Sequence, residues 1–179
     1  MTLARLSIAA ASVLVCTLLF PSSSSVSAND DGRGERRSFS ARLEGYNEVP
    51  TISSPGKGTF RAHLSSDGLS LHYVESYSGL SAHVTQSHIH FGQRHTAGAI
   101  MVWLCQTATN VDPTGLSPQC VDEGTVEGDI TAANIVKAGS QGIDVGEWEE
   151  FVRALRNDSG YANVHSTNFP GGEIRGQIR

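Results

Sequence analysis

Apolar and polar residues alternate in several short segments of this chain, and that period of two restricts the fold more than any other feature. Side chains two positions apart on a β-strand lie on the same face. Residues 39–43, 60–64 and 69–73 each place their apolar side chains on one face of a strand. A tight Ser-Asp-Gly turn at residues 66–68 joins the second segment to the third. The pattern predicts antiparallel β structure.

Later segments continue the β pattern and leave little room for helix. Further strands are predicted at residues 86–91, 100–105, 124–130, 161–165 and 173–179. About eight short strands with so little helix predict an all-β fold, an antiparallel Greek-key β-sandwich.

Two helical pieces are expected to interrupt the strands. Residues 131–137 predict one or two turns with Thr131 as the cap, and residues 147–156 predict one short amphipathic helix. In the second piece the apolar residues recur at the helical spacing i, i+3, i+4 and i+7, which gives the helix a core-facing stripe. These residues are Trp148, Phe151, Val152 and Leu155.

The N-terminus has the pattern of an export signal. A positive start at Arg5 precedes an apolar run at residues 6–20, which is shorter than the roughly 20 residues needed to cross a bilayer. We therefore expect a signal peptide at residues 1–28, a polar leader at 29–37 and a single domain at 38–179. The protein is then secreted, or periplasmic or extracellular, with no membrane span in its mature form.

Cysteine usage agrees with export. Cys16 lies in the expected signal, so Cys105 and Cys120 form an even pair, which favours a disulfide that pins the irregular loop at residues 106–124. Such a crosslink stabilises a fold by roughly 3 kcal/mol. Two free thiols in a metal site are the alternative, although no Cys-x-x-Cys spacing supports it.

The charge balance restricts the partners of this chain. The formal net charge is −5, from 13 basic and 18 acidic residues. Nucleic-acid binding requires a basic surface, so the sequence argues against a nucleic-acid partner. The expected partner is an extracellular ligand of unassigned chemistry.

A His-x-His pattern is the most suggestive local feature. His88 and His90 are two positions apart on a predicted strand, so both imidazoles project from one face. His165 lies on a later strand and supplies a third candidate ligand, and Glu173 could add an oxygen. Imidazole ligands suit zinc and copper, so the sequence raises the hypothesis of a Zn or Cu cofactor.

A purely structural interpretation of the same polar residues stays open. His165 could hydrogen-bond to the His-Ile-His strand, and Arg175 could pair with Glu48 at one end of the fold. The remaining four histidines are expected on exposed polar positions or in loops; they are His63, His72, His83 and His95.

Catalytic motifs give little support to an enzyme. No Gly-x-Ser-x-Gly elbow occurs, and no free cysteine is expected after export. We assign no catalytic residue, and the sequence favours a non-catalytic module while leaving the question of an enzyme open.

Four motifs, in this order, resemble the pattern of the CHRD domain, a family named after chordin. The resemblance covers about residues 38–179 and implies a secreted or surface-located β-sandwich, often without an assigned catalytic role. The stand-alone form is similar to microbial members of the family. The motifs are Phe-x-Ala-x-Leu-x-Gly at 39–45 with Asn-Glu-Val-Pro at 47–50, His-Ile-His at 88–90, Tyr-Ala-Asn-Val-His at 161–165, and Gly-Gly-Glu-Ile-Arg-Gly-Gln-Ile at 171–178.

The His-x-His strand with a later strand histidine is also locally similar to copper–zinc superoxide dismutase, another Greek-key sandwich. This likeness implies an alternative function, a copper/zinc-type metalloprotein or enzyme. The full set of copper and zinc ligands is not evident in the sequence, and a fold-level analogy does not establish a function.

Overall fold

The computed structural model describes residues 36–179, so the expected signal peptide and all but the last two residues of the leader lie outside the described residues. The described chain is mostly β, as predicted, with one α-helix. The strands are β1 (Ser38–Glu44), β2 (Lys57–Leu64), β3 (Leu71–Ser78), β4 (Val84–Phe91), β5 (Ala99–Cys105), β6 (Gly124–Ile130), β7 (Gly160–Ser166) and β8 (Ile174–Gln177).

The eight strands form one antiparallel sheet in the order β5-β4-β7-β8-β1-β2-β3-β6. The two end strands, β5 and β6, lie close to each other, so the sheet nearly closes on itself. The layers that enclose the core are therefore two parts of one continuous sheet. The link between them is the pairing of β1 with β8 at Glu44 and Arg175, which continues past the end of β8 through two backbone hydrogen bonds between Ser40 and Arg179.

Alternation explains why these segments become strands and where the core lies. On β1 the buried and exposed residues alternate without exception, and on β2 they alternate from Phe60 to Leu64. One strand differs from its prediction at its start: Leu69 is 67% exposed, and β3 begins only at Leu71. The Asp67 carboxylate accepts a hydrogen bond from the Leu69 amide at 3.0 Å, which keeps Leu69 in the turn.

The strands β4 and β7 do not alternate between core and solvent. Both faces of β7 are buried along Gly160–Ser166, and β4 is buried from Ser87 to His90. One face carries Ile89 and Val164 into the hydrophobic core. The other face is covered by loops rather than by solvent, and this is the face that carries the histidines.

The helical and disulfide predictions agree with the structure. The helix α1 spans Trp148–Arg156 and buries Phe151, Val152, Ala154 and Leu155, while residues 131–137 form a single 3₁₀ turn at Ala132–Asn134. Cys105 and Cys120 are joined in a disulfide. No helix in the part of the chain that the structure describes is long and apolar enough to cross a membrane.

Candidate metal site

Pairing of β4 with β7 brings the three predicted histidines onto one face of the sheet. His88 lies opposite Asn163 and His90 lies opposite Tyr161, while His165 lies opposite Gln86. Residues opposite one another in an antiparallel pair share a face. The prediction that distant histidines of this chain meet in space therefore agrees with the geometry.

The three imidazole rings are close enough to share one ion. One ring nitrogen from each of His88, His90 and His165 lies within 4.8 Å of the other two. The Nδ1 of His88 is 3.2 Å from the Nε2 of His165. Two nitrogens that bind one tetrahedral ion at about 2.0–2.1 Å are themselves roughly 3.3 Å apart, so nitrogens 4.8 Å apart would have to approach each other by roughly 1.5 Å.

Backbone carbonyls orient two of the three rings. The Nδ1 of His90 lies 2.8 Å from the carbonyl oxygen of Gly98, and the Nδ1 of His165 lies 2.9 Å from that of Pro170. A carbonyl oxygen only accepts hydrogen bonds, so each Nδ1 carries the proton and each Nε2 keeps its lone pair. The Nε2 of His165 lies 3.1 Å from the Oδ1 of Asn163, an acceptor that cannot satisfy this lone pair. Metal-binding histidines are usually fixed in this way by a partner on the opposite nitrogen.

Two nitrogens of the cluster lack a hydrogen-bond partner in the part of the chain that the structure describes. The Nε2 atoms of His88 and His90 are buried and make no hydrogen bond to any described residue. A buried polar atom without a partner costs about 1–3 kcal/mol. A cation bound at the Nε2 of His90 would satisfy that lone pair, and it would also satisfy the one on His88 if His88 bound it through Nε2 rather than through the Nδ1 that faces His165, so the residues present fit a transition-metal ion.

Aromatic side chains enclose the cluster. Tyr161 stacks on His90 with ring centroids 4.7 Å apart, and Trp103 and His88 pack edge to face with ring centroids 4.3 Å apart. The exposed fractions of His88, His90 and His165 are only 1%, 8% and 6%. Sequence reasoning did not find either aromatic contact, because Trp103 and Tyr161 look like ordinary strand residues in the sequence.

A tight loop after β4 completes the cover over the histidine cluster. The loop at residues 92–98 folds back so closely that a Cβ atom on Gly98 would lie 1.8 Å from the carbonyl oxygen of Phe91. Glycine is therefore required at this position, and it brings the carbonyl of Gly98 to His90.

Burial keeps the three imidazoles neutral. It lowers the pKa of His90 to about 4, and it lowers the pKa of His88 well below the ordinary value, with further contributions from the neighbouring histidines. Burial also lowers the pKa of His165. Neutral imidazole is the form that binds metals.

The predicted pair of Glu48 and Arg175 is close but indirect. The Arg175 guanidinium donates to the carbonyl oxygens of Gln93 at 3.2 Å and Thr96 at 2.8 Å, and it lies 3.4 Å from the centre of the Tyr161 ring. Burial raises the pKa of Glu48 to about 7, and the positive charge of Arg175 partly opposes this rise. Arg175 thus orders the loop that covers His90.

Glu173 lies outside the histidine cluster. Its carboxylate accepts hydrogen bonds from the hydroxyl groups of Ser54 at 2.6 Å, Ser166 at 2.5 Å and Ser81 at 3.1 Å, and from the amide of Ser81 at 2.7 Å. Its oxygens are occupied by these donors, so the geometry does not support the predicted oxygen ligand.

The other four histidines are surface residues or loop residues, as expected. His63 and His72 lie on the exposed faces of β2 and β3. His83 is exposed and lies beside Asp122, with 2.6 Å between Nδ1 and the carboxylate. His95 lies in the covering loop with a positive φ of 64°.

Together the fold and this cluster define a class: a disulfide-bonded, nearly closed antiparallel β domain with three buried histidines on its loop-covered face. The family model of the CHRD domain matches residues 39–178, which is most of the chain, so the chain belongs to the CHRD domain family. CHRD domains are typically extracellular. No curated protein and no solved structure matches the chain.

Proposed function

We propose that this chain is an exported, non-catalytic CHRD module that holds one copper or zinc ion with His88, His90 and His165. The observation that carries the proposal is the convergence of one ring nitrogen from each of these three buried histidines to within 4.8 Å, together with the Nε2 of His90, which has no hydrogen-bond partner among the described residues. Loop carbonyls fix the other nitrogens of His90 and His165, so their lone pairs are already directed away from the backbone. When bound, the ion would supply a positive centre that crosslinks β4 to β7.

A non-catalytic role follows from the cover over the cluster. Catalytic metal sites keep one coordination position open to substrate. Here Tyr161 and Trp103 pack against the rings, and each histidine is less than a tenth exposed. The ion is then structural, or it tunes an extracellular binding surface formed by the covering loops.

The enzyme alternative, distantly similar to superoxide dismutase, has one observation in its favour. The Arg175 guanidinium interacts electrostatically with His90 and could attract an anion. Arg175 is itself only 3% exposed and donates to two carbonyls. If the copper-loaded protein consumed superoxide faster than free copper, and a His165→Gln variant did not, the non-catalytic proposal would be overturned.

Metal analysis of the purified full chain tests the binding proposal. After incubation with excess Zn²⁺ or Cu²⁺ and desalting, we expect one tightly held ion per chain. The His88→Gln, His90→Gln and His165→Gln variants should each lose it, whereas His95→Gln should retain it as a matched control. Retention of the ion by all three variants, or no retention by the natural chain, would refute the proposal.

The two tryptophans provide a local reporter. In a Trp148→Phe chain only Trp103 remains, and its ring packs edge to face with that of His88. Addition of one equivalent of Cu²⁺ should quench its fluorescence, and the quenching should disappear in a Trp148→Phe/His165→Gln double variant. Unchanged quenching in the double variant would place the ion elsewhere.

A further inference from the structure

Two exposed histidines face each other across β2 and β3, and they take no part in the metal site proposed above. His63 and His72 are directly opposite in the strand register. Opposite residues of an antiparallel pair have Cβ atoms about 4.5–5.5 Å apart on the same face. Both residues are exposed and line one surface depression.

The partners of the two rings determine how the rings are turned. The Nδ1 of His63 lies 3.0 Å from the hydroxyl of Ser38 on β1, and the Nδ1 of His72 lies 3.0 Å from the carboxylate of Asp129 on β6. These partners lie on opposite flanks, because β2 and β3 are between β1 and β6 in the sheet. In an imidazole ring the bond from Cδ2 to Nε2 lies opposite Nδ1. The edges that carry Nε2 are therefore turned toward each other.

The hydrogen bonds also suit metal binding. An ionised Asp129 accepts the Nδ1 proton of His72, which leaves a lone pair on Nε2 and makes that nitrogen more basic. The hydroxyl of Ser38 can accept the Nδ1 proton of His63 in the same manner. A row of four side chains, one from each of four neighbouring strands, thus presents two imidazole nitrogens to solvent.

We infer that His63 and His72 form a second, solvent-exposed site for a divalent transition-metal ion such as Zn²⁺, Cu²⁺ or Ni²⁺. Two protein nitrogens leave the remaining coordination positions to water, so the ion exchanges freely. The site binds less tightly than one with three protein ligands. Asp129 is a positioning residue, because it acts through His72. Arg61 lies on the same exposed face of β2 and weakens the attraction for a cation.

His83 and Asp122 offer a matched control. They form the same exposed pair of histidine and aspartate, with 2.6 Å between Nδ1 and the carboxylate. His83 precedes β4, outside the register of paired strands. A His83→Gln variant should therefore behave like the natural chain.

Equilibrium dialysis of the full chain against micromolar Ni²⁺ tests the inference, with Zn²⁺ and Cu²⁺ in parallel. A His63→Gln/His72→Gln double variant should lose one weakly bound ion per chain, while His83→Gln should lose none. Both substitutions are on the surface, so the fold is expected to persist, and the unfolding midpoint confirms it. An Asp129→Asn variant should weaken binding several-fold. Unchanged stoichiometry in the double variant would overturn the inference.

The result is independent of the buried cluster. In a His165→Gln background the exposed pair should still bind one ion, and the double variant should still abolish that binding. Retention of the tight ion by the His165→Gln chain would refute the function proposed for the buried histidines and would leave the exposed pair unaffected. Loss of the weak ion in His83→Gln as well as in the double variant would show ordinary binding to single surface histidines, which also overturns the paired site.

Discussion

Two buried glutamates lie on either side of Gly172 and differ in almost every other respect. Glu173 is fully buried and accepts four hydrogen bonds from three serines. Glu48 is also buried, but its Oε1 has no hydrogen-bond partner among the described residues. A Cβ atom on Gly172 would lie 2.5 Å from that oxygen, which shows how closely the two regions adjoin.

The difference in partners reverses the direction of the pKa shift. Burial on its own raises the pKa of Glu173, yet the hydrogen bonds from Ser166, Ser54 and Ser81 outweigh it and leave the pKa below its ordinary value. Burial prevails at Glu48 and raises the pKa to about 7, although Arg175 and Asn163 oppose the rise. A carboxylate with a full set of donors is a fixed anchor. One with too few donors has a charge that responds to its surroundings.

Replacement of the anchored carboxylate should have the largest effect. A Glu173→Ala variant leaves the donors of Ser54, Ser81 and Ser166 without an acceptor, in a region where four chain segments meet. We expect the free energy of unfolding at pH 7 to fall by about 3–5 kcal/mol, since each buried group left unpaired costs about 1–3 kcal/mol. Chemical denaturation measures the change. A Glu48→Gln variant should lose much less of its free energy of unfolding. Equal losses in the two variants would contradict the distinction between Glu173 and Glu48.

Glu48 should give the second-largest effect, a dependence of the free energy of unfolding on pH. Between pH 4.5 and about 7 the unfolded chain has lost the Glu48 proton while the folded chain keeps it. The folded state then binds more protons, so stability falls as pH rises, by at most about 1.4 kcal/mol per pH unit. Denaturation curves at pH 5, 6 and 7 should show that Glu48→Gln gains stability relative to the natural chain as pH rises.

Other groups titrate in the same range, so the difference between the two proteins is the quantity to measure. Burial raises the pKa of Glu75 to about 8, which adds a slope of the same sign. The depressed pKa of His90 adds the opposite slope below pH 6.5, because there the unfolded chain binds the proton. These contributions are common to both proteins and largely cancel. A difference that is constant with pH would contradict the assignment to Glu48.

The contrast also shows what the sequence could predict. Strands such as β1 and β2 can be predicted from alternation alone, because neighbouring residues of a half-buried strand point to opposite faces, one apolar and one polar. The histidine cluster could be predicted for a related reason: the spacing of His88 and His90 fixes their shared face. Pairing of β4 with β7, which carries His165, joins segments that are distant in the sequence, so the sequence supported it only as a hypothesis.

The roles of the glutamates could not be predicted in this way. The three serines that hold Glu173 come from a loop before β2, a loop before β4 and the end of β7, and nothing local marks them as partners. Glu75 occupies a core-facing position of β3, and Ser87, at 2.5 Å, is its only hydrogen-bond partner among residues 36–179. A buried acid in an alternating pattern breaks the rule that polar residues face outward, and only the packed structure shows its partner.

The smallest effect should come from removing one donor of the anchor. Ser81 donates to Glu173 twice, from its amide at 2.7 Å and from its hydroxyl at 3.1 Å. A Ser81→Ala variant keeps the shorter bond, so we expect a loss of about 0.5–1 kcal/mol in the free energy of unfolding. Ser166 donates only through its hydroxyl, at 2.5 Å, and Ser166→Ala should cost more. Denaturation of the two variants side by side measures the order, and the reverse order would mean that packing, rather than hydrogen bonding to the carboxylate, makes Glu173 an anchor.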